Sequence, residues 1–235
     1  DETLYSSQES THALLKGLGH EIKNPLGGLR GAAQLLEQEL KEPSLKEYTQ
    51  IIIDEADRLR NLVDRMLGPV KPHNTALTNI HEVLERVRYL TNADCGDSII
   101  ISRDYDPSIP DIKIDKERLI QAVLNITCNA VNALNQPTQP THKPLITIAS
   151  RIIRQFTIGG HNHRLVCRVD IRDNGPGIPD NIRDNVFVPM VSGHASNSGL
   201  GLSIAQSIVK QHEGLIAFTS DAGDTCFSIY LPMID

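Results

Sequence analysis

Apolar or small residues recur at Leu15, Leu18, Ile22, Pro25, Leu29, Ala32 and Leu36, in alternating steps of three and four. This is the spacing of a helix that buries one seam in a bundle. It predicts a helix from about Thr11 to Lys41. A second near-heptad set follows at Leu45, Tyr48, Ile52, Ala56, Leu59, Leu62 and Met66. Pro43 ends the connection, and Ser44-Leu45-Lys46-Glu47 reads as a capping box opening the second helix. So short a turn makes an antiparallel hairpin. Two helices alone have a one-sided seam and little core. The expected solution is a four-helix bundle formed with a second copy, a symmetric homodimer. Packing of the seam on the rest of the same chain is the alternative.

Beyond Gly68-Pro69-Val70-Lys71-Pro72-His73-Asn74, a hinge punctuated by proline and glycine, the periodicity becomes mixed. Ile80, Val83, Leu84, Val87 and Leu90 mark a helix, and Ile99-Ile100-Ile101 a strand. Asp115 is placed to cap a helix whose apolar face includes Leu119, Val123, Ile126, Ala130 and Ala133. Strands are expected near Leu145–Ile158 and His163–Arg172, with Gly159-Gly160 as the turn between them. A helix from about Leu202 to His212 and strands near Leu215–Thr219 and Thr225–Leu231 complete the pattern. Helices on one face of a mixed sheet make an α/β sandwich, so the fold class of the whole is α+β. The expected organisation is a linker remnant over 1–10, the helical hairpin over 11–67, a hinge over 68–76 and the sandwich over 77–235.

Composition narrows the function classes. A formal net charge of −6 argues against a broad nucleic-acid-binding surface. No apolar run approaches the roughly 20 residues that span a bilayer, and the acidic start, Asp1-Glu2-Thr3, has no signal-peptide pattern. The polar opening through Ser10 reads as the tail of a longer chain. Cys95, Cys128, Cys167 and Cys226 show no paired spacing, which favours neither a disulfide framework nor a zinc site. A cytoplasmic location, with no membrane and no direct nucleic-acid partner, is the expectation.

Candidate chemistry begins on the first helix. With Leu15 at heptad position a, His20 falls at f, the most exposed point, and Asn24 lies one turn on along the same face. The helix tolerates Gly17, Gly19, Gly27, Gly28, Gly31 and Pro25. Interior glycine costs about 1 kcal/mol each and interior proline about 3. Pro25 should kink the helix just past His20, and Gly27 and Gly31 would clear the surface beside it.

Three clusters follow in the second domain. Asn125 and Asn129, one turn apart, project their amides together, and neutral amide oxygens suit magnesium beside phosphate. Asp173-Asn174-Gly175-Pro176-Gly177-Ile178 follows a strand. Its glycines permit a turn that a flat ring can approach, and Asp173 can accept a hydrogen bond from an exocyclic amine. Ser198-Gly199-Leu200-Gly201-Leu202 opens a helix, as phosphate-binding loops do. Each cluster alone is an ordinary turn or polar helix face. All three in this order, downstream of an exposed histidine, form a specific combination.

Taken together, these residues resemble the sensor histidine kinases of two-component signalling. His20–Pro25 is similar to the H box of that family, Asn125–Ala133 to its N box and Asp173–Ile178 to its G1 box. Phe187–Met190 resembles the F box and Gly199–Leu202 the G2 box. The closer similarity is to the nitrogen-regulation kinases within the family. It is carried by Gly17–Leu40, Tyr48–Pro69, Phe187–Gly193 and Gly199–His212. The sensory PAS domain usual ahead of the hairpin is not among these residues.

The resemblance implies a dimerisation and histidine-phosphotransfer hairpin joined to a Bergerat-type ATP-binding domain. ATP and Mg2+ are the implied cofactors. His20 would take the γ-phosphoryl group and Glu21 would act as its base. Asn129, assisted by Asn125, would ligate magnesium, and Asp173 would contact adenine. Gly175, Gly177, Ser198, Gly199, Leu200 and Gly201 would shape the nucleotide pocket, with Val191–Ser198 as its lid. His194-Ala195-Ser196-Asn197-Ser198 departs from the glycine-richer lid usual in the family. The implied partners are an NtrC-type response regulator and a PII-type signalling protein.

Gyrase- and chaperone-type ATPases share this nucleotide fold and use a glutamate on the equivalent helix to activate water. Asn125 stands at that position, and an amide is no general base. Transfer to an external nucleophile is therefore favoured over hydrolysis. Within the family, the amide four residues after the histidine can position water against a phospho-aspartate. Asn24 occupies that place, so a bifunctional kinase and phosphatase is the reading that fits the residues best.

Overall fold

The computed structural model describes residues 23–67, 74–135, 143–191 and 199–233. The chain divides into two compact units, Asp1–Lys71 and Pro72–Asp235.

In the first unit, helix α1 (23–39) and helix α2 (Pro43–Leu67) are joined by three residues. Helix α2 starts at Pro43, one residue before the expected cap. Proline suits the first helical position because its missing N–H has no intrahelical partner there anyway. Leu45 N–H already bonds Glu42 O, at 3.2 Å. Leu26 and Ala33 of α1 are buried, as are Thr49, Ile53 and Ala56 of α2. Arg30 Nε reaches both carboxylate oxygens of Asp57, at 3.0 and 2.8 Å, tying the two helices in register.

Within the hairpin itself the buried positions differ from the expected seam. Leu29 and Leu36 are not buried against α2; Leu26 and Ala33 take that place. Together the residues form one wider stripe, half used within the hairpin and half left bare. Leu29 is 57% exposed and Tyr48 66%, with Leu36, Leu45, Ile52 and Leu59 also exposed. Leu15, Leu18, Ile22, Leu62 and Met66 lie outside the residues whose side chains are described.

Among the described residues, the second unit holds a mixed five-stranded sheet and four α-helices, one of them a single turn. Its elements are β1 (Ala76–Thr78), α3 (Ile80–Cys95), β2 (Ile100–Tyr105), β3 (Ile112–Ile114), α4 (Lys116–Leu134), β4 (Leu145–Ile158) and β5 (His161–Asp173). They continue with α5 (Asp180–Arg183), α6 (Gly201–Gln211), β6 (Leu215–Asp221) and β7 (Asp224–Pro232). The strand order is β2-β4-β5-β7-β6, with β2 parallel to β4 and the other pairs antiparallel. The short strands β1 and β3 pair separately. These two strands and the one-turn α5 were not expected, because three or four residues carry too little periodicity to show.

Alternation in β7 buries Thr225, Phe227, Ile229 and Leu231 and leaves their neighbours half-exposed. Ile146 and Ile148 of β4 and Val169 and Ile171 of β5 face the same core. Against them lie Val83, Leu84 and Val87 of α3, Leu119, Val123 and Ile126 of α4, and Ile204 and Ile208 of α6. Each such side chain contributes about 1.5–3 kcal/mol by leaving water. The Gly159-Gly160 turn has φ of 55° and 86°, the left-handed pair that a two-residue hairpin needs. Among the described residues, no helix is long and apolar enough to cross a membrane.

Candidate nucleotide site

Helix α4 lines the site along its length. Asp115 caps its start by accepting the Arg118 N–H at 3.2 Å, which fixes the phase of every side chain that follows. Asn125 and Asn129 are half-buried one turn apart. A further turn on, Ala133 and Leu134 reach the loop after β5. A Cβ added to Gly175 would lie 3.4 Å from the Ala133 Cβ and 3.7 Å from Leu134 Cδ2. The stretch from Asn125 to Ala133 spans about 12 Å of helix at 1.5 Å per residue.

Asp173 ends β5 and is only 5% exposed. Its Oδ1 accepts the Gly175 N–H at 2.9 Å. A Cβ at Gly175 would sit 2.7 Å from that same oxygen, so only glycine leaves the carboxylate its place. Burial pushes the carboxyl up to about 6; the Gly175 N–H offsets part of that, and the Asp224 charge adds to it. The loop is braced from behind by the β6–β7 turn. Gly223 N–H donates to Gly175 O at 2.8 Å, and Ile178 N–H to Ser220 Oγ at 2.8 Å. Gly177, at φ 88°, passes so close to Asp221 that a Cβ would meet its carbonyl oxygen at 3.1 Å.

The other end of the site is the start of α6. Gly201 lies against Asn125, whose backbone oxygen and Cγ would be 3.7 and 3.9 Å from an added Cβ. Among the described residues no side chain caps α6, and a helix start of this kind offers its first-turn N–H groups to an anion. The Asn125 Nδ2 is buried and has no hydrogen-bond partner among the described residues. An orphaned amide beside an uncapped helix start, with a buried carboxylate at the far end of the same helix, fits an elongated ligand that is anionic at one end. Asn125 and Asn129 also present amide oxygens suited to a hard cation bound with phosphate.

The segment before α6 has a closed stem. Met190 N–H donates to Gly199 O at 3.1 Å. Gly199 has φ 65°, and a Cβ there would come within 2.7 Å of the Met190 carbonyl carbon. Phe187 anchors the near side, edge-on to Phe218 and Phe227 with centroids 6.0 and 6.4 Å away.

Of the residues expected at the site, the fold brings together Asn125, Asn129, Asp173, Gly175, Gly177, Gly199, Leu200 and Gly201. His20, Glu21 and Ser198 lie outside the described residues, as does the lid over 192–198; Asn24 is exposed on α1. Sequence reasoning missed Ser220 and Gly223, and it named Met190 only within the F-box resemblance, not as the partner of Gly199. Asp221-Ala222-Gly223-Asp224 signals a turn, but nothing local says that this turn braces Gly175.

Residues 114–235 match the histidine kinase-, DNA gyrase B- and HSP90-like ATPase family, and residues 11–74 match the His Kinase A (phospho-acceptor) domain. The chain belongs to the histidine kinase-, DNA gyrase B- and HSP90-like ATPase family, with a His Kinase A domain ahead of the ATPase domain. Among its relatives, the sensory histidine kinase/phosphatase NtrB of Vibrio alginolyticus is 51% identical over 230 residues, 98% of this chain and 65% of that protein. NtrB of Klebsiella oxytoca is 48% identical over 99% of this chain and 65% of its own length. For NtrB of Azospirillum brasilense the figures are 39%, 98% and 58%. The chain thus spans about 65% or less of these relatives.

Two solved structures share the fold. Full-length ShkA in complex with AMPPNP aligns at a TM-score of 0.71 with 24% identity, over 94% of this chain and 46% of ShkA. ThkA in complex with the response regulator protein TrrA aligns at 0.59 with 24% identity, over 99% of this chain and 64% of ThkA.

Proposed function

We propose that the chain is a homodimeric histidine kinase that binds ATP, phosphorylates His20 and passes the phosphoryl group to an aspartate of a response regulator. The same chain assists removal of that phosphate. The observation that carries this reading is the convergence on α4 of a buried carboxylate, an orphaned amide and an uncapped helix start, in a chain whose other domain is a phospho-acceptor hairpin.

Asp173 receives the exocyclic amine of adenine, in a loop whose glycines let the ring approach the backbone. The first turn of α6 donates N–H groups to the phosphates. Asn129, with Asn125, would hold Mg2+, whose contribution is to neutralise phosphate charge. An imidazole nitrogen of His20 bonds to the γ-phosphorus as the bond from that phosphorus to the bridging oxygen breaks and ADP leaves. Glu21 takes the imidazole proton. Asn125 replaces the carboxylate that would activate water, so transfer prevails over hydrolysis.

Asn24, exposed and four residues after His20 in sequence, holds a water in line with a phospho-aspartate. The bare stripe of Leu29, Leu36, Leu45, Tyr48, Ile52 and Leu59 supports the dimer. The resemblance to nitrogen-regulation kinases makes an NtrC-type regulator the acceptor in this reading and a PII-type protein its modulator.

The test follows label from γ-labelled ATP through the chain to a purified NtrC-type regulator, for wild type and Asn24→Ala. Transfer in both, with label persisting longer on the regulator beside the variant, is the expected result. Equal loss of His20 labelling and regulator dephosphorylation would refute the role given to Asn24 and point to a damaged hairpin.

A further inference from the structure

At the far end of α4 and α6 from the lid stem lies a buried polar knot that the nucleotide chemistry does not use. Asp115, Arg118 and His212 are all less than a tenth exposed. The Asp115 Oδ2 accepts the backbone N–H of Asn74 at 3.0 Å, and Asn74 is the first described residue of the hinge segment. The Asp115 Oδ1 caps α4 through Arg118 N–H. The Asp115 backbone N–H donates to His212 Nε2 at 2.9 Å. Because Nε2 accepts, the ring proton is on Nδ1, which donates to Ile208 O at 2.8 Å. The Arg118 guanidinium bonds Gln211 Oε1 and lies 3.5 Å from the Asp115 carboxylate.

One carboxylate and one imidazole therefore join three parts of the domain: the chain arriving from the hinge, the start of α4 and the end of α6. Helix α4 carries Asn125 and Asn129 downstream of this knot. Helix α6 begins at Gly201, against Asn125. A rotation of either helix at the knot is carried to the amides and to the phosphate-facing N–H groups, because helices move as rigid rods. Buried, mutually satisfied polar groups of this kind hold one arrangement in preference to others.

We infer that Asp115 and His212 are positioning residues that couple the chain leaving the hinge to the nucleotide-binding ends of α4 and α6. The inference rests on the nucleotide site proposed above. Coupling of two sites is reciprocal, so nucleotide at the far end should protect the backbone at residue 74, and the isosteric Asp115→Asn should break that link. The substitution keeps an acceptor for Arg118 N–H but turns the oxygen facing Asn74 N–H into a donor or misplaces the cap.

The experiment is hydrogen–deuterium exchange on the whole chain, with and without a non-hydrolysable ATP analogue, for wild type and Asp115→Asn. In wild type, analogue binding slows exchange both at 125–130 and at 74–79. In the variant, protection at 125–130 persists while protection at 74–79 falls at least threefold. The His20 labelling rate at saturating ATP drops about tenfold, with KM changed less than twofold. Unchanged protection at 74–79 in the variant overturns the inference. So does a general rise in exchange that includes the β4–β5 hairpin, which marks a merely structural role. No protection at 125–130 in wild type defeats the nucleotide site itself, and the inference with it.

Discussion

The two domains present their functional residues in opposite ways. The helical hairpin leaves its candidate residue and much of its apolar surface open: Asn24 is exposed, and half of the apolar stripe is uncovered. The sandwich domain does the reverse. Its core is closed, and Asp173 and Asn125 are held in buried or half-buried positions by neighbours that leave little freedom. A group on an open surface can meet more than one partner. A nucleotide site must instead be preorganised, because its selectivity depends on groups already stripped of water. The difference predicts that the hairpin is sensitive to what covers it, and the sandwich to what shifts its loops.

The largest effect is expected at the bare stripe. Replacing Leu36 and Ile52 together with aspartate should weaken self-association by at least about a hundredfold, since each buried aliphatic side chain is worth about 1.5–3 kcal/mol. Sedimentation would show a monomer whose nucleotide affinity is unchanged. A variant that stays dimeric would place the dimer contact elsewhere.

Next comes Asp173→Asn. Losing the charged acceptor should weaken nucleotide binding by about 10- to 100-fold, the value of one hydrogen bond to a charged group, as read by titration with a fluorescent ATP analogue. Gly199→Ala should follow, at about fivefold or more, because a left-handed backbone costs an L-residue roughly 1–2 kcal/mol and the added Cβ would also press on the Met190 carbonyl carbon at 2.7 Å. The thermal midpoint should barely move, since the strain is confined to the lid stem. A large fall in that midpoint would mean that the stem supports the whole domain.

The smallest effect concerns pH. Burial holds the Asp173 carboxyl at about 6, above its ordinary 3.8. Nucleotide affinity should be full above that value and fall as pH drops through it, by up to about tenfold between pH 7 and pH 5. The folded carboxyl binds its proton more tightly than the unfolded one. Its contribution to folding therefore grows more favourable as pH falls from about 6 towards 3.8. Both trends should vanish in Asp173→Asn. An affinity profile still falling through 6 in the variant assigns the titration to another group.

Much of the architecture was legible in the residue pattern because long elements carry many periods. The apolar face of α4 and the strand β5 fall where expected. So do the Gly159-Gly160 turn and the cap at Asp115. The hairpin seam was legible only in part. A stripe shared between an internal contact and an uncovered face reads as one heptad set, and nothing local separates Leu26 from Leu29. At the site, glycines and amides announced themselves by type and order. Their supports did not, because Ser220 and Gly223 matter through contacts made across the fold. The knot at Asp115 shows the same limit: the cap was visible, but its bonds to Asn74 and to His212 were not.

The central claim is that the buried nucleotide site serves His20. The direct measurement is incubation of wild type and His20→Asn with magnesium and γ-labelled ATP, followed by acid and base treatment of the protein-bound label. Label on wild type that is stable to base, labile to acid and absent from the variant is the predicted result. Label that persists on His20→Asn, or release of inorganic phosphate at equal rates from both proteins, would contradict the account.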